Sequence, residues 1–270
     1  MLCSKKEGTM LSVQDINYSI GKKEILNAVS INFLPGRFNM ILGPNGSGKS
    51  TLLKIFSGEI THHTGGVYYA GKKLTAYPSL ELAKIRGVLS QQPELSFPLT
   101  VEEVVMMGRY PHFNFHPNKK DNQICAEVMD RMNIHLMKDR NYLTLSGGEK
   151  QRVQFARVLA QIWEKPADGN RYLFLDEPLA SLDINYQLEF LQIAKEFAEN
   201  NTILVAVIHD LNQAIQFADE LFFLKEGHLI GQGKANEILS ADLVKNVFNV
   251  HCTILNNPVN NKPVIVYSNN

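Results

Sequence analysis

The residues best equipped for chemistry stand together at Gly43-Pro44-Asn45-Gly46-Ser47-Gly48-Lys49-Ser50-Thr51. Their spacing fits G-x-x-x-x-G-K-[ST], a loop whose backbone N–H groups turn inward on a phosphate. Glycine permits that turning, and the positive end of a following helix strengthens the anion site. In such a loop the lysine reaches the β- and γ-phosphates of a nucleoside triphosphate and the next hydroxyl ligates Mg²⁺. Lys49 and Ser50 hold those places. A glycine-rich turn without a ligand is the alternative, but average residue usage makes a chance match on the order of 1% in a chain this long. The pattern also needs a strand before it and a helix after it. Met40-Ile41-Leu42 supplies the first, and Leu52-Leu53-Lys54-Ile55-Phe56 has the spacing of the second.

A second anion site is written at Leu145-Ser146-Gly147-Gly148-Glu149. Ser146 and Glu149 have capping-box spacing, so a helix starts here. Two glycines weaken a first turn. They make sense where a ligand must approach the backbone, and a phosphate is the natural one. One nucleotide could use both sites only if they meet, within the chain or across a dimer. Acid groups follow at Asp176-Glu177, after the apolar run Tyr172-Leu173-Phe174-Leu175. A carboxylate ending a core strand in such a protein reads as a Mg²⁺ partner, here Asp176. Glu177 could orient or deprotonate the attacking water. His209 ends the run Thr202 to Ile208, on the strand-end edge where open parallel sheets bind nucleotides. Gln91, after Gly87-Val88-Leu89-Ser90, could reach Mg²⁺ or water, or be a solvated loop amide. Tyr18 could stack on an adenine ring, worth about 1–3 kcal/mol, or pack on the core.

The elements that must position these groups read as α/β. Met10 to Tyr18, Lys22 to Leu26 and Val29 to Phe33 alternate as antiparallel strands leading into the phosphate-loop strand. Residues 94–160 change to helical patterns, with a capping box at Thr100 and Glu103 and a helix over Asn122 to Met132. Met106, Met107, Met129 and Met132 read mostly as core there, with a docking face as the alternative. Residues 164–171 form a polar loop, Ser181-Leu182-Asp183 opens a helix through Ala198, and residues 251–270 read as a short hairpin extension. The domain proper spans 10–250. The chain's 27 basic and 27 acidic side chains cancel, which argues against binding nucleic acid by bulk charge. No apolar run approaches a bilayer span, and the first residues carry no signal-peptide pattern. The expectation is a soluble, cytosolic chain. Cys3, Cys125 and Cys252 are too scattered for a metal pattern.

Taken in order, Gly43 to Thr51, Gln91, Leu145 to Glu149, Leu173 to Glu177, Ser181 to Asp183 and His209 resemble the ATP-binding subunits of ABC transporters over nearly the full chain. The Leu-Ser-Gly-Gly-Glu run is the specific one. The resemblance implies a RecA-like P-loop NTPase core, an N-terminal antiparallel β subdomain and an inserted α-helical subdomain at about 94–160. It implies ATP and Mg²⁺ as ligands. Tyr18 would stack on adenine, Lys49, Ser50 and Thr51 would hold phosphate and metal, and Gln91 would sense them, with Gln92 the neighbouring register. Ser146, Gly147 and Gly148, with Glu149 behind them, would close on the γ-phosphate bound to a second copy. Glu177 would be the catalytic carboxylate, His209 the switch, and Asp183 a link between the two sites. Leu179 departs from the hydroxyl residue often found there.

Val105-Met106-Met107-Gly108-Arg109-Tyr110-Pro111-His112 further resembles importers of iron chelates, haem and cobalamin, and the loop between Trp163 and Arg171 resembles haem importer ATPases. The implied partners are a second copy of the chain, a two-copy membrane permease at the cytoplasmic face of the inner membrane, and indirectly a cargo-binding protein. Haem is the expected cargo, with siderophores or cobalamin as alternatives. A non-transport ATPase of DNA repair or translation would carry a long coiled-coil insertion or two ATPase halves. Here one phosphate loop stands alone and 55 positions separate Gln91 from Ser146. A binding-only switch is disfavoured by Glu177 and His209.

Overall fold

The computed structural model describes residues 10–90, 95–166 and 169–268. In chain order these form β1 (Leu11–Ile20), β2 (Lys23–Phe33), β3 (Arg37–Leu42), α1 (Lys49–Ser57), β4 (Thr64–Tyr69), β5 (Lys72–Lys73), α2 (Ser79–Ile85) and β6 (Arg86–Leu89). Next come α3 (Val101–Met106), α4 (Lys119–Arg131), α5 (Gly147–Gln161), β7 (Arg171–Asp176), α6 (Ile184–Glu199), β8 (Thr202–Val207) and α7 (Leu211–Phe217). The chain ends with β9 (Glu220–Lys225), β10 (His228–Gly233), α8 (Ala235–Ile238), α9 (Ala241–Phe248), β11 (His251–Asn256) and β12 (Pro263–Ser268). Two compact units divide it: residues 1–76 with 191–270, and residues 77–190.

The first unit carries two sheets. One is antiparallel, in the order β2-β1-β4-β5. In the other, β3 runs parallel to both β8 and β9, and β9 pairs antiparallel with β10. Strands covered on both faces read as continuous apolar runs, and β8 is buried at every position. Phe33 of β2 joins the two sheets through Phe222 of β9 at 4.9 Å and meets Phe56 of α1 at 5.3 Å. Strict alternation fails in β1, because the register slips between Val13 and Ile16, where Asp15 has a φ of 49°. The bulge brings Ile16 back to the core face beside Leu11 and Val13. Lys22 to Phe33, expected as two strands, is one strand with an irregularity at Ala28, whose φ is 49°. There Asn17 Oδ1 accepts from the Ala28 N–H at 2.8 Å. The hairpin β11–β12 docks on α7: Asn212 donates to Ile265 O at 3.1 Å and accepts from Ile265 N at 2.8 Å.

The second unit pairs β6 and β7 in parallel and packs α3, α4 and α5 together. Both expected capping boxes form, at Thr100 with Glu103 and at Ser146 with Glu149. A third, Asn118 with Asp121, starts α4 three residues before the apolar pattern does. Of the four methionines, Met129 and Met132 are buried, whereas Met106 and Met107 are half-buried. The polar stretch 164–171 is not a solvated loop throughout. Arg171 opens β7 in a buried position and donates to Trp163 O at 2.8 Å. Cys125 lies in the same core, and burial pushes its thiol up to about 12. A thiol so shielded is inert. Cys125 is expected to resist alkylation at pH 8 in the native protein and to react once it unfolds, as mass spectrometry can read.

Candidate functional site

The phosphate loop lies between β3 and α1, in the first unit. Gly48 precedes α1 with a φ of 99°, and an added Cβ there would meet Leu26 Cδ2 at 2.8 Å and Ile25 O at 2.9 Å. At Gly43 a Cβ would stand 2.0 Å from Leu224 O. Both glycines are therefore demanded by packing as well as by ligand approach. The loop is braced from a distant turn: Gly227 N donates to Ser47 O at 3.1 Å, and Gly227 O accepts from Asn27 N at 3.0 Å. Nothing local to Glu226-Gly227 in the sequence reveals that this turn supports residue 47. Gly43→Ala is expected to cost about 1–3 kcal/mol by overpacking. A thermal melt should show the drop, together with weaker ATP binding.

Inside the loop, Lys49 is buried and its Nζ donates to Gly43 O and Pro44 O, each at 2.9 Å. The ammonium is thus aimed at the loop's own concave face. Ser47 Oγ is buried without a hydrogen-bond partner among the described residues. A buried hydroxyl left so is costly, and an oxygen-rich ligand in the loop would satisfy it. The residues present therefore fit a polyphosphate. Ser50 and Thr51, half-buried in the first turn of α1, offer the hydroxyls suited to a hard cation. In the same unit Tyr18 is half-buried near the end of β1. His209 is exposed just past β8, and Asp210 beside it caps α7 by accepting from Gln213 N at 2.9 Å.

The second unit holds the other candidates. Asp176 ends β7 and is buried, and Glu177 follows, half-buried. Glu177 has a φ of 49°, in the left-handed region that side chains seldom adopt. Strain of that kind persists where surroundings enforce it and clusters at functional sites. The segment that follows is held by side chains: Gln151 of α5 donates to Pro178 O at 2.9 Å, and Gln187 of α6 donates to Leu182 O at 2.9 Å. Asp183 precedes α6 instead of lying within it, and its Oδ1 accepts from Tyr186 N at 3.1 Å.

Ser146 and Gly147 are exposed at the start of α5. Glu149 Oε2 accepts from Ser146 N at 2.8 Å, and Arg140 donates to Oε1 at 3.0 Å. The Ser146 N–H, then its hydroxyl and Arg140, hold the Glu149 carboxyl below the ordinary carboxylate range. A Cβ at Gly147 would meet Ser181 Cβ at 3.6 Å, and one at Gly148 would meet Ser181 O at 3.4 Å. Those are ordinary contacts, so packing within this chain does not demand the two glycines. Gln91 lies outside the described residues. Among the described residues no group of three or more His, Cys, Asp and Glu side chains is placed to hold a metal ion.

Comparison with known proteins now bears on this arrangement. Residues 26–180 match the family model described as ABC transporter. A hemin import ATP-binding protein, HmuV, of Gloeobacter violaceus is 43% identical over 95% of this chain and 94% of its own length. The HmuV of Escherichia coli O157:H7 is 36% identical over 95% of this chain and 99% of its own. Among solved structures, a chain of a metal-chelate type ABC transporter in an inward-facing conformation superposes with a TM-score of 0.81 at 24% identity, covering 97% of this chain and 98% of that one. A dimeric bacterial ABC transporter cassette superposes with a TM-score of 0.70 at 28% identity, covering 83% and 98%. With a phosphate loop, a serine-capped helix behind two glycines and an acidic strand end in one P-loop NTPase fold, this chain belongs to the ABC transporter family, as one of its ATP-binding, ATP-hydrolysing subunits.

Proposed function

We propose that this chain powers a membrane importer of haem. The observation that carries this reading is the run of hemin import ATP-binding proteins at 36–43% identity over 95% of the chain. Residues 10–250 form the ATP-binding domain, and residues 251–270 a hairpin appended to it. The subunit works as a homodimer on a two-copy permease, at the cytoplasmic face of the membrane. A cargo-binding protein outside delivers to that permease, and nucleic acid plays no part. Among the described residues no helix is long and apolar enough to cross a membrane, which suits a peripheral subunit. Tyr110, 59% exposed between buried Arg109 and half-buried Pro111, faces the permease.

The chemistry follows from the residue types. Gly43 to Gly48 bind the ATP phosphates through backbone N–H groups, and Lys49 neutralises the β- and γ-oxygens. Ser50, Gln91 and Asp176 would hold Mg²⁺, which when bound offsets charge on the β- and γ-phosphates. Glu177 accepts the proton of the attacking water, and His209 orients the γ-phosphate. Tyr18 stacks on the adenine. Ser146, Gly147 and Gly148 of the second copy close on the γ-phosphate, with Glu149 fixing their turn and Asp183 linking the two sites. ATP binding closes the dimer, and hydrolysis reopens it.

The cargo is tested by uptake in cells that lack this chain and are complemented with it. Haem uptake is expected to depend on the intact chain and to be lost with Glu177→Gln. Uptake of ferric siderophore or cobalamin in its place would reassign the cargo.

A further inference from the structure

We propose that the turn Met107–His112 is stapled to the far end of α5, and that this staple transmits permease contact at Tyr110 to the Ser146 end of that helix. The inference rests on the functional reading above and adds positioning residues to it. Three observations within one unit carry it.

The first is close approach. A Cβ at Gly108 would stand 2.1 Å from Arg157 O and 3.2 Å from Gln161 N. The backbone of the turn therefore lies directly on the backbone of α5, and only glycine permits that. The second is the helix end. The last carbonyls of a helix have no partner inside it. In α5 they are taken by side chains: Arg109 NH1 donates to Ala160 O at 2.8 Å, and His112 Nε2 bonds Gln161 O at 2.7 Å. A carbonyl can only accept, so the His112 proton sits on Nε2. Cations and donors at this end also suit the helix dipole.

The third is the buried charge. Arg109 is 1% exposed and pairs with Asp121 at 3.0 Å and with Glu164 at 2.6 Å. Lys120 joins Glu164, and His112 Nδ1 lies 3.7 Å from it. Asp121 meanwhile closes the capping box of α4 through Oδ2. The start of α4, the turn and the end of α5 thus form one network. Removing one partner from a buried pair is far costlier than moving the pair intact, so the network shifts as a body. Tyr110 alone points outward, edge-on to Phe113 at 5.8 Å. The α5 rod of 15 residues is about 22 Å long, with the staple at one end and the Ser146 cap at the other. Gly108, Arg109 and His112 each acquire a role that the bare sequence did not give them.

The test uses the subunit alone and the subunit reconstituted with its permease in lipid vesicles. His112→Leu removes the donor to Gln161 O, His112→Gln restores one, and Gly108→Ala wedges the turn from the helix. In the isolated subunit, basal ATPase and KM for ATP are expected to stay within about twofold of the original in both His112 variants, while permease-stimulated ATPase falls about fivefold or more in His112→Leu, the low end of allosteric coupling. His112→Gln should recover most of it, and Gly108→Ala should lose more than His112→Leu. Unchanged stimulation in His112→Leu would overturn the staple, as would basal and stimulated rates falling together, since that marks a merely structural role. An original subunit that its permease fails to stimulate would overturn the functional reading itself, and the staple with it.

Discussion

Glu177→Gln is expected to lower ATP turnover by at least about 10²-fold, the size of a lost key electrostatic group. ATP binding should survive, because the phosphates are held elsewhere, by the loop from Gly43 to Gly48 and by Lys49. The substitution keeps the shape of the side chain and removes its ability to take a proton. The turn after it should also persist, since Gln151 donates to Pro178 O and Gln187 to Leu182 O, neither a group that the substitution changes. Steady-state phosphate release gives the turnover, and equilibrium binding of a fluorescent ATP analogue gives the affinity. Near-original turnover with intact binding would remove Glu177 from the chemistry.

Lys49→Ala should act the other way, on binding first. Its ammonium is buried and hydrogen-bonded to two loop carbonyls, ready to face the phosphates. Truncating one member of a buried, hydrogen-bonded charge pair costs about 2–5 kcal/mol. At 1.4 kcal/mol per tenfold that is a loss of roughly 30-fold to several thousand-fold in ATP affinity. The fold should persist, because Gly227 and Asn27 still brace the loop through backbone bonds. Calorimetric titration with ATP checks the affinity and circular dichroism checks the fold.

What was legible in the sequence was local. The phosphate loop with its flanking strand and helix, and the capping boxes at Thr100 and Ser146, are written in contiguous residues whose spacing decides the geometry. The buried strands β7 and β8 were legible for the same reason. What stayed hidden depends on long-range partners. Nothing near Ser47 announces Gly227, and nothing near Arg109 announces Glu164, 55 positions away. The bulge at Asp15 breaks the alternation read over Met10 to Tyr18, so the return of Ile16 to the core needed the register to be seen. The left-handed backbone of Glu177 is likewise invisible in a residue type that rarely adopts it. Arg171 misled because charge suggests solvent, whereas its guanidinium is buried against the carbonyls that follow α5.

The central claim is that each ATP is held by the phosphate loop of one copy and the serine-capped helix of another. Subunit complementation tests it most directly. In a Glu177→Gln background, which stops hydrolysis, one preparation carries Lys49→Ala and a second carries Ser146→Arg. Neither alone should form an ATP-dependent dimer on size exclusion. Mixed, they should form heterodimers that trap one ATP, because one of the two shared sites is then intact on both sides. If mixing restores no nucleotide-bound dimer, or if either preparation alone traps ATP as a monomer, the shared site does not exist.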